Sequence, residues 1–148
     1  MKKPYPMPDH HIGLEELLQY FSKDAFARLC GIEIIEASEG YAKTRMVVED
    51  RHLNGLGMAH GGVLFTLADM AFAAAVHSRG RVAVAINTSM SFMKAGKTGI
   101  LYAEAREVSR NRKLASYTVQ VTDSTGDILA LFQGMAYIKA EHILPSKG

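Results

Sequence analysis

The most informative segment of this chain is Asn54–Ser78, which reads N-G-L-G-M-A-H-G-G-V-L-F-T-L-A-D-M-A-F-A-A-A-V-H-S. From Gly61 onward it predicts one long helix, and apolar residues fall on every face of that helix. Such a helix is expected inside a domain rather than on its surface. Asp69 carries the one formal charge between Gly61 and Ser78. Because a carboxylate in an apolar helix is costly unless it is paired or used in chemistry, Asp69 is the first candidate functional residue.

Length and composition limit the class of protein. The 148 residues fit one domain, and a content of 48% hydrophobic and 22% charged residues is that of an ordinary globular protein. A formal net charge of +2 does not indicate nucleic-acid binding. No apolar run reaches the ~20 residues that span a bilayer, and three prolines interrupt the first ten residues where a signal peptide would be apolar. With Cys30 as the single cysteine, we expect a cytoplasmic protein.

The chain on either side of the long helix predicts a shorter helix and a set of strands. Apolar spacings of three and four predict a helix over 14–29 with a break near Ser22 and an end at Gly31. β-branched residues and alternation predict strands over 32–37, 41–48, 82–93, 99–108, 114–123 and 128–138. Turn residues at 95–99, 109–112 and 123–126 predict short hairpins and an antiparallel sheet. We therefore expect an α+β fold, a sheet wrapped around the long helix, with one domain at 13–140 and tails at 1–12 and 141–148.

The segment from Asn54 to Asp69 also resembles a known motif. Asn54, Gly55, His60-Gly61-Gly62, Phe65, Leu67 and Asp69 match N-G-x(4)-H-G-G-x-x-F-x-L-x-D of hotdog-fold acyl-CoA thioesterases, in particular the PaaI-like group of phenylacetic acid degradation. The resemblance extends over about 29–138. It implies a hotdog fold, hydrolysis of an aryl or medium-chain acyl-CoA, and homodimers, usually paired into homotetramers, with sites at the interface. Ala73 stands where the 4-hydroxybenzoyl-CoA type often has a hydroxyl residue, which favours the PaaI-like group.

The glycine pair at the start of the long helix has a chemical use of its own. Backbone N–H groups there have no helical partner and lie at the positive end of the helix dipole, which suits the oxyanion of a thioester carbonyl. Asp69 would attack that carbonyl or activate water. However, eight residues of helix put Gly61 and Asp69 about 12 Å apart along the axis. Two antiparallel helices across a two-fold axis would bring them together, so we expect at least a homodimer with two shared sites.

Further site residues follow from the resemblance. Asn54 is expected to orient the carbonyl or water, although Asn-Gly is also a turn signal. His60 is expected to shape the turn or contact the thioester. Lys94, Arg110 and Arg112 are candidates for binding coenzyme A phosphates, and for the arginines a merely solubilising role is equally open. No metal and no cofactor are expected, because the other histidines lack ligand spacing and coenzyme A belongs to the substrate.

Some alternatives stay open at this point. A non-catalytic acyl-CoA-binding or regulatory hotdog module would bind ligand without hydrolysis, and a hotdog hydratase or dehydratase would rely on a catalytic histidine. Gly96-Lys97-Thr98 mimics the end of a phosphate-binding loop, but it lacks the first glycine and a following helix, so we interpret it as a hairpin. His77 is interpreted as structural, because a cation suits the end of a helix dipole.

Overall fold

The computed structural model describes residues 11–143, so most of the two predicted tails, at 1–10 and 144–148, lies outside the described residues. Within 11–143 no helix is both long enough and apolar enough to cross a membrane. The elements in chain order are α1 (Leu14–Tyr20), α2 (Ala25–Cys30), β1 (Glu33–Ser38), β2 (Tyr41–Val47), α3 (Gly61–His77), β3 (Arg81–Phe92), β4 (Ile100–Arg110), β5 (Leu114–Thr122) and β6 (Ile128–His142).

The N-terminal helix is broken in two, as its sequence predicts. A 3-10 turn at Phe21–Lys23 separates α1 from α2. Asp24 then starts α2, because its side chain accepts a hydrogen bond from the Ala27 N–H at 3.0 Å. Gly31 ends α2 with φ 73°, a left-handed conformation that glycine adopts without strain. Leu17 and Ala27 are buried, so both short helices pack against the rest of the domain.

The strands form one antiparallel sheet of six, in the order β1-β2-β4-β5-β6-β3. The predicted hairpins between β4, β5 and β6 are confirmed. The predicted hairpin at 95–99 is wrong, because β3 pairs with β6 at the sheet edge and not with β4. Helix α3 contacts every strand as it crosses the sheet, and it delivers the chain to that far edge.

The segment 93–99 therefore returns from the sheet edge to β4 instead of forming a tight turn. On its way it passes under the start of α3, where the Ala59 N–H donates to the Gly96 carbonyl oxygen at 2.7 Å. The Val48 N–H donates to the Gly99 carbonyl oxygen at 2.9 Å. A Cβ on Gly96 would lie 3.0 Å from Leu129 Cδ1, so a larger residue at this position would require the Leu129 side chain to shift.

Helix α3 forms the centre of the core, as predicted. Leu67, Ala68, Ala71 and Ala75 are fully buried against the inner face of the sheet. The helix is not buried on all sides, however. One strip along it stays partly exposed, and we call it the open strip: Gly62, Phe65, Thr66, Asp69 and Ala73. These residues share one helical face, so in the single chain Asp69 lies on the side of the helix that the sheet does not cover.

Candidate active site

At the start of α3 one backbone N–H group has no hydrogen-bond partner in the part of the chain that the structure describes. His60 is the N-cap, and its carbonyl oxygen accepts hydrogen bonds from the N–H groups of Val63 at 3.0 Å and Leu64 at 3.2 Å. Its ring Nδ1 accepts the Gly62 N–H at 2.8 Å. Within residues 11–143 the Gly61 N–H has no hydrogen-bond partner. The positive end of this helix of 17 residues thus offers the Gly61 amide to a ligand.

Gly62 makes this cap possible. A Cβ at Gly62 would lie 3.0 Å from Nδ1 of His60, in the space that the capping ring needs. Because Nδ1 accepts a hydrogen bond, the proton of neutral His60 is carried by Nε2. His60 thereby shapes the helix start, as expected, and a contact of His60 with a thioester stays a prediction.

A cavity of about 340 Å³ opens at Gly61. Its lining is mostly apolar, with one amide and one ammonium side chain: Asn54, Met58, Ala59, Gly61, Leu64, Phe92, Met93, Lys94 and Ala95. The Phe92 ring lies close to the helix start, since a Cβ on Gly61 would be 3.4 Å from Cε1 and Cζ. An apolar cavity with a backbone donor suits a ligand with a carbonyl attached to an apolar chain.

Asn54 organises the loop beside this cavity. Its Oδ1 accepts hydrogen bonds from the N–H groups of Leu56 at 2.9 Å and Met58 at 3.1 Å. Its backbone N–H donates to the Met58 carbonyl oxygen at 2.7 Å. The side-chain oxygen of Asn54 therefore stabilises the turn, as the Asn-Gly turn signal predicts. The side-chain nitrogen Nδ2 has no partner in the described part of the chain and can still donate to a ligand in the cavity.

His52 is a supporting residue that the sequence analysis did not single out. It is buried, its Nδ1 accepts the Glu49 N–H at 2.9 Å, and its Nε2 lies 2.7 Å from the Cys30 carbonyl oxygen. Its own carbonyl oxygen accepts the His60 N–H at 2.7 Å. His52 thus links the end of α2 to the N-cap of α3. The signal that could have found it is the capping-box spacing of three residues from Glu49.

Asp69 lies on the open strip and does not line the cavity at Gly61 of its own chain. It is partly buried, and it forms no hydrogen bond or ion pair with the residues at 11–143. Burial raises the pKa of Asp69, and the nearby carboxylate of Asp24 raises it further. A carboxylate that is desolvated but unpaired is suited to act as a base or nucleophile.

The three basic candidates do not meet in one chain. Lys94 lines the cavity and pairs with Asp127 in the turn between β5 and β6. Arg110 is the last residue of β4, a strand of 11 residues that begins just after the segment that accepts a hydrogen bond from Ala59 below the start of α3. At about 3.3 Å per residue, Arg110 lies about 33 Å from the first residue of that strand. Its Nη1 lies 4.0 Å from Glu107 Oε1, and Arg112 follows it in the next turn.

Residues 11–143 contain no group of three or more His, Cys, Asp or Glu side chains arranged to hold a metal ion.

Several known proteins are similar to this chain in sequence and in fold. Residues 56–130 match the Thioesterase superfamily. The chain is 42% identical over 135 residues to an Archaeoglobus fulgidus protein named as an esterase, with 90% of this chain and 88% of that protein covered. It is 36% identical over 118 residues to the acyl-coenzyme A thioesterase PaaI of Escherichia coli, covering 79% of this chain and 84% of PaaI.

The solved structures agree. The structure of Escherichia coli PaaI, from the phenylacetic acid degradation operon, superimposes with a TM-score of 0.81 at 33% identity over 86% of this chain and 96% of PaaI. A Streptococcus mutans protein solved with acetyl-CoA bound gives a TM-score of 0.72 at 28% identity, covering 75% of this chain and 90% of that one.

A six-stranded antiparallel sheet wrapped around one long central helix is the hotdog fold, so the predicted fold class is confirmed. The chain belongs to the thioesterase superfamily, and the predicted resemblance to its PaaI-like group is confirmed.

Proposed function

We propose that this chain hydrolyses an aryl or medium-chain acyl-CoA to the free acid and coenzyme A, at sites shared by two protomers. One observation carries the proposal: the Gly61 N–H, which has no partner among residues 11–143, belongs to a residue that lines an apolar cavity. A donor fixed in this way stabilises the negative charge that develops on a thioester oxygen during attack. Acyl-CoA is supported as the substrate by the name of PaaI and by acetyl-CoA in the Streptococcus mutans structure.

Asp69 of the second protomer is the proposed base or nucleophile. As a base it takes a proton from water, and the hydroxide adds to the carbonyl carbon. The carbon–sulfur bond then breaks, and the proton on Asp69 passes to the leaving sulfur, which releases coenzyme A as the thiol. As a nucleophile its oxygen attacks the carbonyl carbon, the carbon–sulfur bond breaks and coenzyme A leaves as the thiolate, which takes a proton from water. Water then hydrolyses the resulting anhydride to the free acid and the Asp69 carboxylate. In both routes Asp69 must start ionised and must lie within reach of the carbonyl. The Asp69 on the same helix as the Gly61 amide is too far away, so the Asp69 of the second protomer is required.

The β3 edge of the sheet supports the dimer. Strand β3 is 12 residues long and pairs with β6 on one side only, while β1, at the other edge, has six residues. A long open edge is a template for pairing with another chain. Ile86 and Phe92 on β3 are more than half exposed in the single chain. Such large apolar side chains favour an edge that a second protomer covers. Pairing of two β3 strands about a two-fold axis would bring the two open strips of α3 together.

A second interface is proposed on the outer face of the sheet, where it would join two dimers into the homotetramer. Val84, Leu131, Met135 and Tyr137 are exposed there on neighbouring strands β3 and β6. Several large apolar side chains on a solvent-facing sheet surface are typical of a contact area. Light scattering of the purified protein would distinguish the dimer from the tetramer.

Gly61→Pro tests the amide directly. Proline is well tolerated at the first position of a helix because its missing N–H has no helical partner there. The residue before a proline must be extended, and His60 already has φ −60° and ψ 137°. We expect kcat for phenylacetyl-CoA, measured by thiol release, to fall by about 10²–10³-fold with little change in Tm. The control Gly61→Ala keeps the N–H, and its Cβ would make an ordinary contact with Phe92 at 3.4 Å, so most activity should remain.

The shared site is tested by mixing two inactive variants. Asp69→Asn should lower kcat by about 10²–10⁴-fold. A mixed dimer of Gly61→Pro and Asp69→Asn chains has one site with both changes and one intact site. Co-refolding the two at equal amounts should therefore restore about a quarter of wild-type activity, since half of the dimers are mixed and each has one working site. Mixed dimers that form but stay inactive would contradict the shared site.

The alternatives have different products. A binding module would retain acyl-CoA without releasing thiol, and a hydratase would release a water adduct with the thioester intact. A panel of acyl-CoA esters with thiol detection distinguishes these outcomes and gives the preferred acyl group. We also propose that the reaction needs no metal or added cofactor, so EDTA should leave thiol release unchanged. The proposed location is the cytoplasm, in keeping with the single cysteine.

A further inference from the structure

Lys94 lines the cavity of the proposed thioesterase site, and its backbone is held in place. Among the described residues that line the cavity at Gly61, it is the only cation. The N–H groups of Met93 and Lys94 both donate to the Leu129 carbonyl oxygen, at 2.8 Å and 3.2 Å. Because β6 holds this backbone, the Lys94 side chain has a defined starting point beside the cavity.

The Lys94 ammonium is already occupied. It donates to the carboxylate of Asp127, in the turn between β5 and β6. That turn is itself rigid, since Asp123 Oδ1 accepts hydrogen bonds from the Thr125 N–H at 2.9 Å, the Thr125 hydroxyl at 2.6 Å and the Asp127 N–H at 3.1 Å. The hydrogen bond from Lys94 to Asp127 raises the pKa of Lys94, and the charge of Asp123 acts in the same direction. The carboxylate of Asp127 is therefore bound to the Lys94 ammonium, and the carboxylate of Asp123 lies near it.

This arrangement changes what Lys94 can do for a phosphate. An anion that approaches Lys94 meets the charge of Asp127 unless the ion pair opens. The pair can open easily, because the two side chains are 54% and 56% exposed and exposed ion pairs are weak and salt-screened. A phosphate of coenzyme A offers more negative charge than one carboxylate, so an exchange of partners on Lys94 is feasible.

We propose that Asp127 competes with the phosphates of coenzyme A for Lys94, which makes Asp127 a residue that determines how much affinity the enzyme gains from the nucleotide part of its substrate. This inference rests on the proposed function. In the free enzyme Asp127 holds Lys94, and in the complex a phosphate replaces the carboxylate. A substrate without phosphates has no group that replaces the carboxylate on Lys94, so its affinity does not depend on Asp127.

The test compares an acyl-CoA with the same acyl group on pantetheine, which has the thioester but no phosphate. Asp127→Asn removes the charge and keeps the side-chain size and the N–H that Asp123 accepts. We expect it to lower KM for acyl-CoA by about two- to fivefold and to leave KM for acyl-pantetheine unchanged. Lys94→Met should raise KM for acyl-CoA by a larger factor than KM for acyl-pantetheine. The matched control Lys97→Met removes an exposed lysine that does not line the cavity and should have a smaller effect.

The outcomes separate this inference from the function on which it rests. An unchanged or higher KM for acyl-CoA in Asp127→Asn, with both esters hydrolysed, would overturn this inference alone. Equal shifts of KM for the two esters would do the same, because the pair would then act only by holding the turn. No thiol release from either ester by the wild-type protein would overturn both the function and the inference.

Discussion

A histidine bonds to the backbone at each end of α3, but the two ends differ. At the start, exposed His60 uses one ring nitrogen, to accept the Gly62 N–H, and leaves the neighbouring amide open. At the end, buried His77 uses both ring nitrogens: Nδ1–H bonds the Ala73 carbonyl oxygen at 2.6 Å, and Nε2 accepts the Ala83 N–H at 3.2 Å. The rings of Tyr20 and Phe21 pack on His77, each with its centroid 5.4 Å away.

The difference shows what makes a helix end functional. A histidine near a helix terminus is not informative by itself, because both of these form good hydrogen bonds. What distinguishes the two ends is that the start leaves a polar group unpaired beside a cavity, whereas the other end satisfies both ring nitrogens and covers them. Changes at the start should therefore alter activity with limited cost in stability, and changes at the end should do the reverse.

His77→Ala should give the largest effect on stability. It removes a buried ring and two hydrogen bonds, so we expect a loss of about 2–4 kcal/mol in the free energy of unfolding. Urea unfolding measures that loss. The activity per folded protein, from thiol release under conditions in which the variant is folded, should stay within about twofold of wild type. A large loss of kcat in well-folded His77→Ala would break the contrast between the two ends.

The pH dependence of stability sharpens the same point. Burial lowers the pKa of His77, so the folded chain resists a proton that the unfolded chain takes up near pH 6.5. The contribution of neutral His77 is therefore complete above about pH 6.5 and is lost as the pH falls through the lowered pKa. Urea unfolding at several pH values should show a shallower decline in acid for His77→Ala than for wild type. This result would also correct the sequence interpretation, which kept His77 structural for the wrong reason, as a cation at the helix end.

His60 variants should give a smaller change in stability. His60→Ala loses the side-chain cap, which costs about 1 kcal/mol, and it leaves the Gly62 N–H unpaired beside Gly61. His60→Asn supplies an oxygen that can cap the helix, so we expect it to keep most of the stability and activity that the alanine variant loses. Urea unfolding and thiol release measure the two properties. A stable but inactive His60→Asn would show instead that the imidazole itself contacts the substrate.

Much of the fold could be predicted from local patterns. The apolar segment after Gly61, the break before Asp24 and the alternation in the strands each depend on residues close in sequence. The pairing of β3 could not be predicted in this way. The turn residues at 95–99 are compatible with a hairpin, and only the path of α3 across the sheet puts β3 at the far edge. The open strip could not be predicted for a similar reason. The residues next to Asp69 in sequence are apolar, but the sheet does not cover the face of the helix on which Asp69 lies.

The candidate site divides in the same way. Residue type and spacing are enough to predict Gly61 and Asp69 as site residues, and helix geometry gives their separation along one helix. The supporting contacts of His52 and the proposed role of Asp127 depend on hydrogen bonds and ion pairs with groups distant in sequence, among them the Cys30 carbonyl oxygen and the Lys94 ammonium. Such contacts leave no pattern in a single sequence, because any residue supplies a backbone carbonyl and many supply a charge.

Asp24→Asn should give the smallest effect, and it tests the middle of α3 between the two ends. Asparagine can still cap α2 by accepting the Ala27 N–H, so the change removes a charge and keeps the structure. Burial raises the pKa of Asp69, so kcat/KM should decline in acid at a higher pH than an ordinary Asp would give. Asp24 adds to this increase, and its removal should move the decline to lower pH and leave the plateau unchanged. The control Asp50→Asn changes an exposed acid that does not act on Asp69, so an equal shift there would assign the effect to overall charge.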